Sequence, residues 1–360
     1  MERNTNPLYI LRFIAAIMVV WLHFGPNRNF FTTNGGEAVT FFFFLSGFVM
    51  IIANSKYLTG KNLNFSKTDF YIKRFARIYP MYFLALLLLA IFHYFIQSID
   101  TPTVKYRLIF ETLGIQGWLY PGSFNFPAWT VSCEFFFYLL FPAAIVYLKS
   151  NKAKFKTFAW VYFILTYAIT LGLYFLNSHK KITIIYALTW SPHPHPVLVI
   201  SIFFLGMLCG STFINNNLSF FKNKTYSTLT ALITISAIFF IKYYLPSYLL
   251  NCGLLTPLFF VFILAITSFS KKDSAFFNFK LFIFLGDISY SIYIFQLPVL
   301  HYYNHYISPT KTWPSVICFT LTLIAFCSII YYTVELPLKN YILAHFNKRK
   351  ALKEKDLAIL

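Results

Sequence analysis

Charge is scarce in this chain, and negative charge is scarcer still. Eleven Asp and Glu stand against thirty Lys and Arg, and charged residues make up only 11% of the 360 residues. A soluble globular domain has about 25% charged residues, so a fold with an all-aqueous surface is excluded. Cysteine is sparse as well. Cys133, Cys209, Cys252, Cys318 and Cys327 are odd in number, scattered through apolar segments and without metal-ligand spacing, so they read as packing residues and not as a disulfide framework or metal site. There is no internal repeat, and no stretch outside the apolar runs is long enough for a soluble domain. A cleavable signal peptide is not expected, because Arg12 interrupts the first apolar run and no small-residue cleavage site follows it.

What is abundant is apolar. Hydrophobic residues are 58% and aromatics 22% of the chain, with a mean hydropathy of +0.63. Apolar windows and breakers place crossings near 8–25, 38–54, 79–99, 127–148, 157–176, 197–214, 226–245, 250–269, 282–302 and 315–336, each long enough to cross the hydrocarbon layer as a helix. The apolar segment 182–190 reads as a short re-entrant or interfacial piece. With the N-terminus inside, the inner segments take twenty-two of the thirty Lys and Arg and the outer ones seven. That bias predicts an all-α, polytopic membrane helix bundle of about ten spans with both termini cytoplasmic. The chain reads as one membrane domain over 1–345 and a basic cytoplasmic tail over 346–360. The formal charge of +19 is then a topology signal with affinity for anionic membrane lipid, and no nucleic-acid partner is implied.

Ionisable groups inside spans mark functional routes. Arg12 and His23 are eleven residues apart, so they share one face of the first helix about 16 Å apart along its axis. The plainer reading is that Arg12 snorkels to inner headgroups and His23 sits at the outer interface. In the fourth span, Glu134 lies about two turns in from Pro127, which places it in the outer half with His23. A carboxylate among Phe residues needs a partner, and the expected one is His23, which would then serve as a general base. Arg74 and Arg77 share a face at the inner surface and suit phosphate groups, although either is also an ordinary positive-inside charge.

The Arg and His of the first helix, "FFFFLSGF" (41–48), "RFARIYP" (74–80), "WTVSCEFFFY" (129–138), "GDISYSIYIFQLP" (286–298) and "VELP" (334–337) occur in the order found in the acyltransferase 3 family of integral membrane acyltransferases. The chain resembles that family over nearly its whole length. The resemblance implies transfer of an acyl group, usually acetyl, from cytoplasmic acyl-CoA to hydroxyls of cell-envelope or lipid-linked glycans such as lipopolysaccharide O-antigen, in the bacterial inner membrane. Carried over, it gives His23 and Glu134 as catalytic residues. Arg12, Arg74, Arg77, Ser46 and Gly47 are the donor-binding set, with Gly47 also suited to close helix contact. There are two departures. Thr40 stands where many relatives carry Asp, and Gln296 stands where many carry His; Gln296 hydrogen-bonds but takes no proton.

The expected path brings acetyl-CoA to Arg74 and Arg77, with Arg12 at the entrance and the thioester near His23. Ser289, Tyr290 and Gln296 are candidate oxyanion donors, and an acyl-His23 relay is the alternative chemistry. Asp287 and Glu335 either pair with the arginines or hold helix packing, the latter being favoured. "SPHPHP" (191–196) and the pair His301 and His305 read as surface histidines, and no metal is expected. Trp118, Trp129 and Trp190 are interfacial residues that can also stack on sugar rings. A homo-oligomer is compatible with the sequence. Two rivals compete with the enzyme: a transporter or flippase of acylated or glycan-like solutes, which inverted repeats or broken helices would favour, and a channel-like or sensory protein without chemistry, which leaves the polar groups unexplained.

Overall fold

The computed structural model describes residues 4–26, 35–60, 64–97, 102–118, 123–178, 195–215, 220–250, 253–269, 275–309 and 312–359. Among them every regular element is a helix. α1 (Pro7–Phe24), α2 (Gly35–Ala53) and α3 (Lys67–Ile91) are followed by α4 (Pro102–Thr112), α5 (Trp129–Ser150), α6 (Lys152–Ser178), α7 (Pro196–Ile214) and α8 (Lys224–Tyr244). Then come α9 (Thr256–Thr267), α10 (Lys280–Asp287), α11 (Ser289–Tyr306), α12 (Trp313–Ile330) and α13 (Leu336–Ile359). Proline stands in the first turn of α1, α7, α9 and α12, where its missing N–H has no helical partner to lose. Each of the ten apolar windows carries a helix. Eight helices among the described residues are long and apolar enough to cross a membrane, and α10 with α11, bent by 52°, makes a ninth. The remaining one, α9, has 12 residues and is short for a full crossing.

Burial sorts these helices into a centre and a rim. α7 is buried along nearly its whole length, packed among α2, α5, α6 and α9. α6 and α8 present Val161, Ile164, Leu232, Ile233 and Phe240 outward, the apolar exterior that lipid would cover. The tightest seam joins α2 to α7. A Cβ on Gly206 would overlap the carbonyl oxygen of Phe44, and one on Gly47 would overlap that of Phe203. Two glycines facing each other's helix backbones let the axes approach as no larger pair can.

The C-terminal helix is long. The π-helical turn Tyr331–Glu335 joins α12 to α13, so the helix continues past its apolar part, and the residues of the basic tail are helical through Ile359. Lys350 Nζ pairs with Asp69 Oδ2 at 2.9 Å, tying α13 to the start of α3.

α4 does not qualify as a span, yet it fixes how α5 begins. It docks on α3, where the Tyr82 and Tyr79 hydroxyls donate to the carbonyls of Glu111 and Thr112. Glu111 is fully buried. Its carboxyl group accepts the backbone N–H of Phe124 at 2.6 Å and of Asn125 at 3.1 Å, while Gln116 Nε2 donates to Ala128 O at 2.7 Å. The segment leading into α5 is therefore pinned from below. Burial pushes the Glu111 carboxyl from its ordinary 4.5 up to about 8, against the opposing pull of those two N–H groups and of Arg107.

Two outcomes are expected. Gly206→Val should lower the unfolding temperature of the detergent-solubilised protein, at a cost of about 3 kcal/mol, whereas Gly172→Ala, whose new methyl group meets nothing within 4 Å, should leave it unchanged. Because the Glu111 pKa is raised on folding, folding takes up a proton between pH 4.5 and about 8. The associated stability is complete below that window and declines as pH rises through it. Thermal unfolding measured across the window should show this slope in wild type and a flatter one in Glu111→Gln.

Candidate functional site

A cavity of about 860 Å³, its open mouth included, lies inside the bundle at the depth of Arg12. α3 supplies Arg74 and Arg77, three residues apart and so on one face; α5 supplies Glu134 and Tyr138, and α2 supplies Ser46. The Arg74 guanidinium sits over the rings of Phe70 and Tyr138, 5.7 and 6.0 Å from their centroids. The Tyr138 hydroxyl donates to Glu134 Oε2 at 2.9 Å. Arg12, Arg77 and Arg74 all act on the Glu134 charge, and Arg77, Asp287 and Glu134 all act on Arg12. Three guanidinium groups thus meet Glu134 and Asp287, and Arg77 also acts on Glu335, a dense set of charges in a low-dielectric interior. The Arg74 Nε is buried without a hydrogen-bond partner among the described residues. This arrangement suits an anion with several acceptor oxygens.

His23 stands apart from that cluster. Its Nδ1 lies 2.9 Å from Gln296 Oε1, and its ring packs edge-on against Phe24 and Phe126 at 5.7 and 4.6 Å. The amide of Gln296 is oriented by its own Nε2, which donates to Tyr293 O at 2.7 Å. With Oε1 thereby turned to the imidazole, His23 Nδ1–H is the donor and Nε2 keeps its lone pair. That tautomer is the one a general base at Nε2 requires.

The expected pairing of His23 with Glu134 is corrected here. Phe126, which touches the His23 ring, is eight residues before Glu134, so the carboxylate lies about 12 Å further along the helical path. That descent carries Glu134 to the level of Arg12, itself about 16 Å below His23. The partner on His23 is Gln296, the position where the resemblance loses a proton carrier.

Other expected residues divide in the same way. Ser46, Ser289 and Tyr290 line the cavity with the arginines. Ser289 Oγ, however, donates to Gly286 O at 2.7 Å and the Tyr290 hydroxyl to Ile78 O at 3.1 Å, so each already uses its one hydroxyl proton on a backbone carbonyl. Gly47 contacts α7 at the seam described above and does not line the cavity. Trp129 is buried with its ring 5.8 Å from that of Phe43, which removes it from the outer interface. Trp118 packs against Phe136 and His195. Glu335 accepts from Ser291 Oγ at 2.6 Å and is also acted on by Arg77, and Asp287 joins the same arginine field. His301 lies 5.3 Å from the ring of His93 and His305 packs on Phe92; among the described residues no three His, Cys, Asp or Glu are placed to hold a metal. Trp190, segment 182–190 and residues 191–194 lie outside the described residues.

Four participants escaped the sequence reading. Tyr138 was legible as the residue one turn beyond Glu134. Tyr293 and Thr130 line the cavity, and the Tyr293 hydroxyl accepts from Thr130 Oγ1 and donates to Pro127 O. Glu111 gave no signal, because it sits in a polar helix between spans.

Residues 8–332 match the family model described as an acyltransferase domain. The chain is 34% identical over 149 residues to Acyltransferase MdmB of Streptomyces mycarofaciens, a match covering 37% of each protein. The match thus spans well under half of that relative. No solved structure matches the chain significantly. The family match takes in α1 with Arg12 and His23, the arginine pair of α3, Glu134 of α5 and Gln296 of α11: this multi-pass membrane protein belongs to the acyltransferase 3 family.

Proposed function

We propose that the protein is a membrane O-acyltransferase of the bacterial inner membrane, moving an acetyl group from cytoplasmic acetyl-CoA to a hydroxyl of an envelope or lipid-linked glycan such as lipopolysaccharide O-antigen. The observation that carries this reading is the arginine-lined cavity linked through Tyr293 to the His23–Gln296 pair. In this reading the CoA phosphates lie against Arg74, Arg77 and Arg12, with the Arg74 Nε among their donors. Glu134, with Asp287 and Glu335, offsets the repulsion among the three like charges. The pantetheine arm brings the thioester toward His23. His23 Nε2 takes the proton of the acceptor hydroxyl, whose oxygen forms the new C–O bond. The C–S bond then breaks and CoA leaves as its thiolate, which recovers a proton. A relay in which His23 Nε2 is acylated first uses the same residues.

Transfer of label from radiolabelled acetyl-CoA into glycan, in inside-out vesicles at matched expression, tests this. His23→Ala should lose about 10²-fold or more in kcat. Arg74→Ala and Arg77→Ala should raise the KM for acetyl-CoA about ten- to hundredfold, and Gln296→Leu should lower kcat with little change in that KM. If wild type transfers no label despite correct insertion and acceptor supply, acetyl-CoA is removed as donor. The 52° break between α10 and α11 would then favour the transporter reading.

A further inference from the structure

His23 is held from two sides, and both lead back to one carboxyl group outside the spans. Pro298 has no N–H, so the carbonyl of Ile294, four residues earlier in α11, has no helical donor. Asn125 Nδ2 fills that vacancy at 3.0 Å. Two residues further along α11 is Gln296, which accepts from His23 Nδ1. On the other side, Phe126 follows Asn125 directly and packs edge-on against the imidazole. Both Asn125 and Phe126 take their place from the backbone of the same short segment, and that backbone hangs on Glu111.

We infer that Glu111 is a positioning residue for His23, acting through the Phe124–Asn125 backbone on the Ile294–Gln296 stretch of α11 and on Phe126. The inference rests on the transferase reading for what His23 does, but not for how it is held. A second observation supports it. Asn125 Oδ1 is buried without a hydrogen-bond partner among the described residues, a defect that a segment shaped for stability alone would remove. The groups facing Glu111 fit a fixed anchor: Arg107 on its own helix, and Tyr82 with Tyr79 behind it on α3. No cavity arginine interacts with it, so donor binding and imidazole placement are separable.

Two measurements on the full-length protein test this. In the vesicle assay, Glu111→Ala and Asn125→Ala should each lower kcat at least about tenfold, with the KM for acetyl-CoA within about twofold of wild type. Glu111→Gln, which keeps one accepting oxygen for both N–H groups, should recover most of the rate. In the absence of acetyl-CoA, carbethoxylation of His23 by diethyl pyrocarbonate, followed by peptide mass spectrometry, should be several-fold faster in both alanine variants. Should Glu111→Ala fail to fold, Asn125→Ala carries the same comparison with the carboxyl group intact. A rate near wild type in a folded alanine variant, or a KM that rises in step with the loss of kcat, overturns the positioning role. If wild type itself transfers nothing, the transferase reading fails, and His23 reactivity alone decides: unchanged reactivity in the variants overturns the inference.

Discussion

Keeping three guanidinium groups inside an apolar bundle is the constraint on which the rest of this structure depends. Each cation carries a desolvation penalty of several kcal/mol unless it finds opposite charge, hydrogen bonds or water. Here Glu134 sits among Arg12, Arg74 and Arg77, and aromatic faces take part of the remaining load. Asp287 at the end of α10 acts on Arg12 alongside Glu134, and Arg77 also acts on Glu335, so carboxyl groups from three parts of the chain offset the cations around the cavity.

Holding that cavity open requires rigid walls elsewhere. The glycine seam between α2 and α7 supplies one: Phe44 and Phe203 offer bare carbonyls to glycines on the opposite helix, and the phenylalanines around them interlock, as where Phe137 stacks on Phe203. α2 therefore presents Ser46 to the cavity on one side and Gly47 to α7 on the other. Neighbours in sequence thus face a cavity and a packed seam. On the opposite wall, α11 is irregular at both ends of its inner half, bent away from α10 at Ile288 and interrupted at Pro298. Such breaks free backbone carbonyls: Asn125 Nδ2, from the segment before α5, takes that of Ile294, and Ser289 Oγ takes that of Gly286.

Much of this was legible in the sequence. Run length and the placement of Lys and Arg depend on local composition and on the membrane as solvent, so every apolar window is found to carry a helix. The helical period likewise put Arg12 with His23 and Arg74 with Arg77 on common faces. What was not legible is depth. The partner of Glu134 depends on where α5 begins relative to α1, and Glu111 holds the start of that approach through Phe124 and Asn125, 13 and 14 residues on, all three outside the apolar windows. Trp129 likewise turned out to be packed against Phe43 and not exposed, which residue type and run length do not reveal. Gln296 was visible as a departure from the family pattern, but only the structure gives it the task of orienting the imidazole.

The stretch from Trp313 to Lys350, part of a helix that continues to Ile359, already has 38 residues, about 57 Å of helix, nearly twice the roughly 30 Å of the hydrocarbon layer. Its final turns must therefore stand in water. There the pair between Lys350 and Asp69, with both side chains partly exposed, is screened over about 8 Å at physiological salt. Salt therefore weakens this one contact between the arm and the start of α3, the helix that bears Arg74 and Arg77 further along, while the rest of the packing between the two helices is unaffected by it.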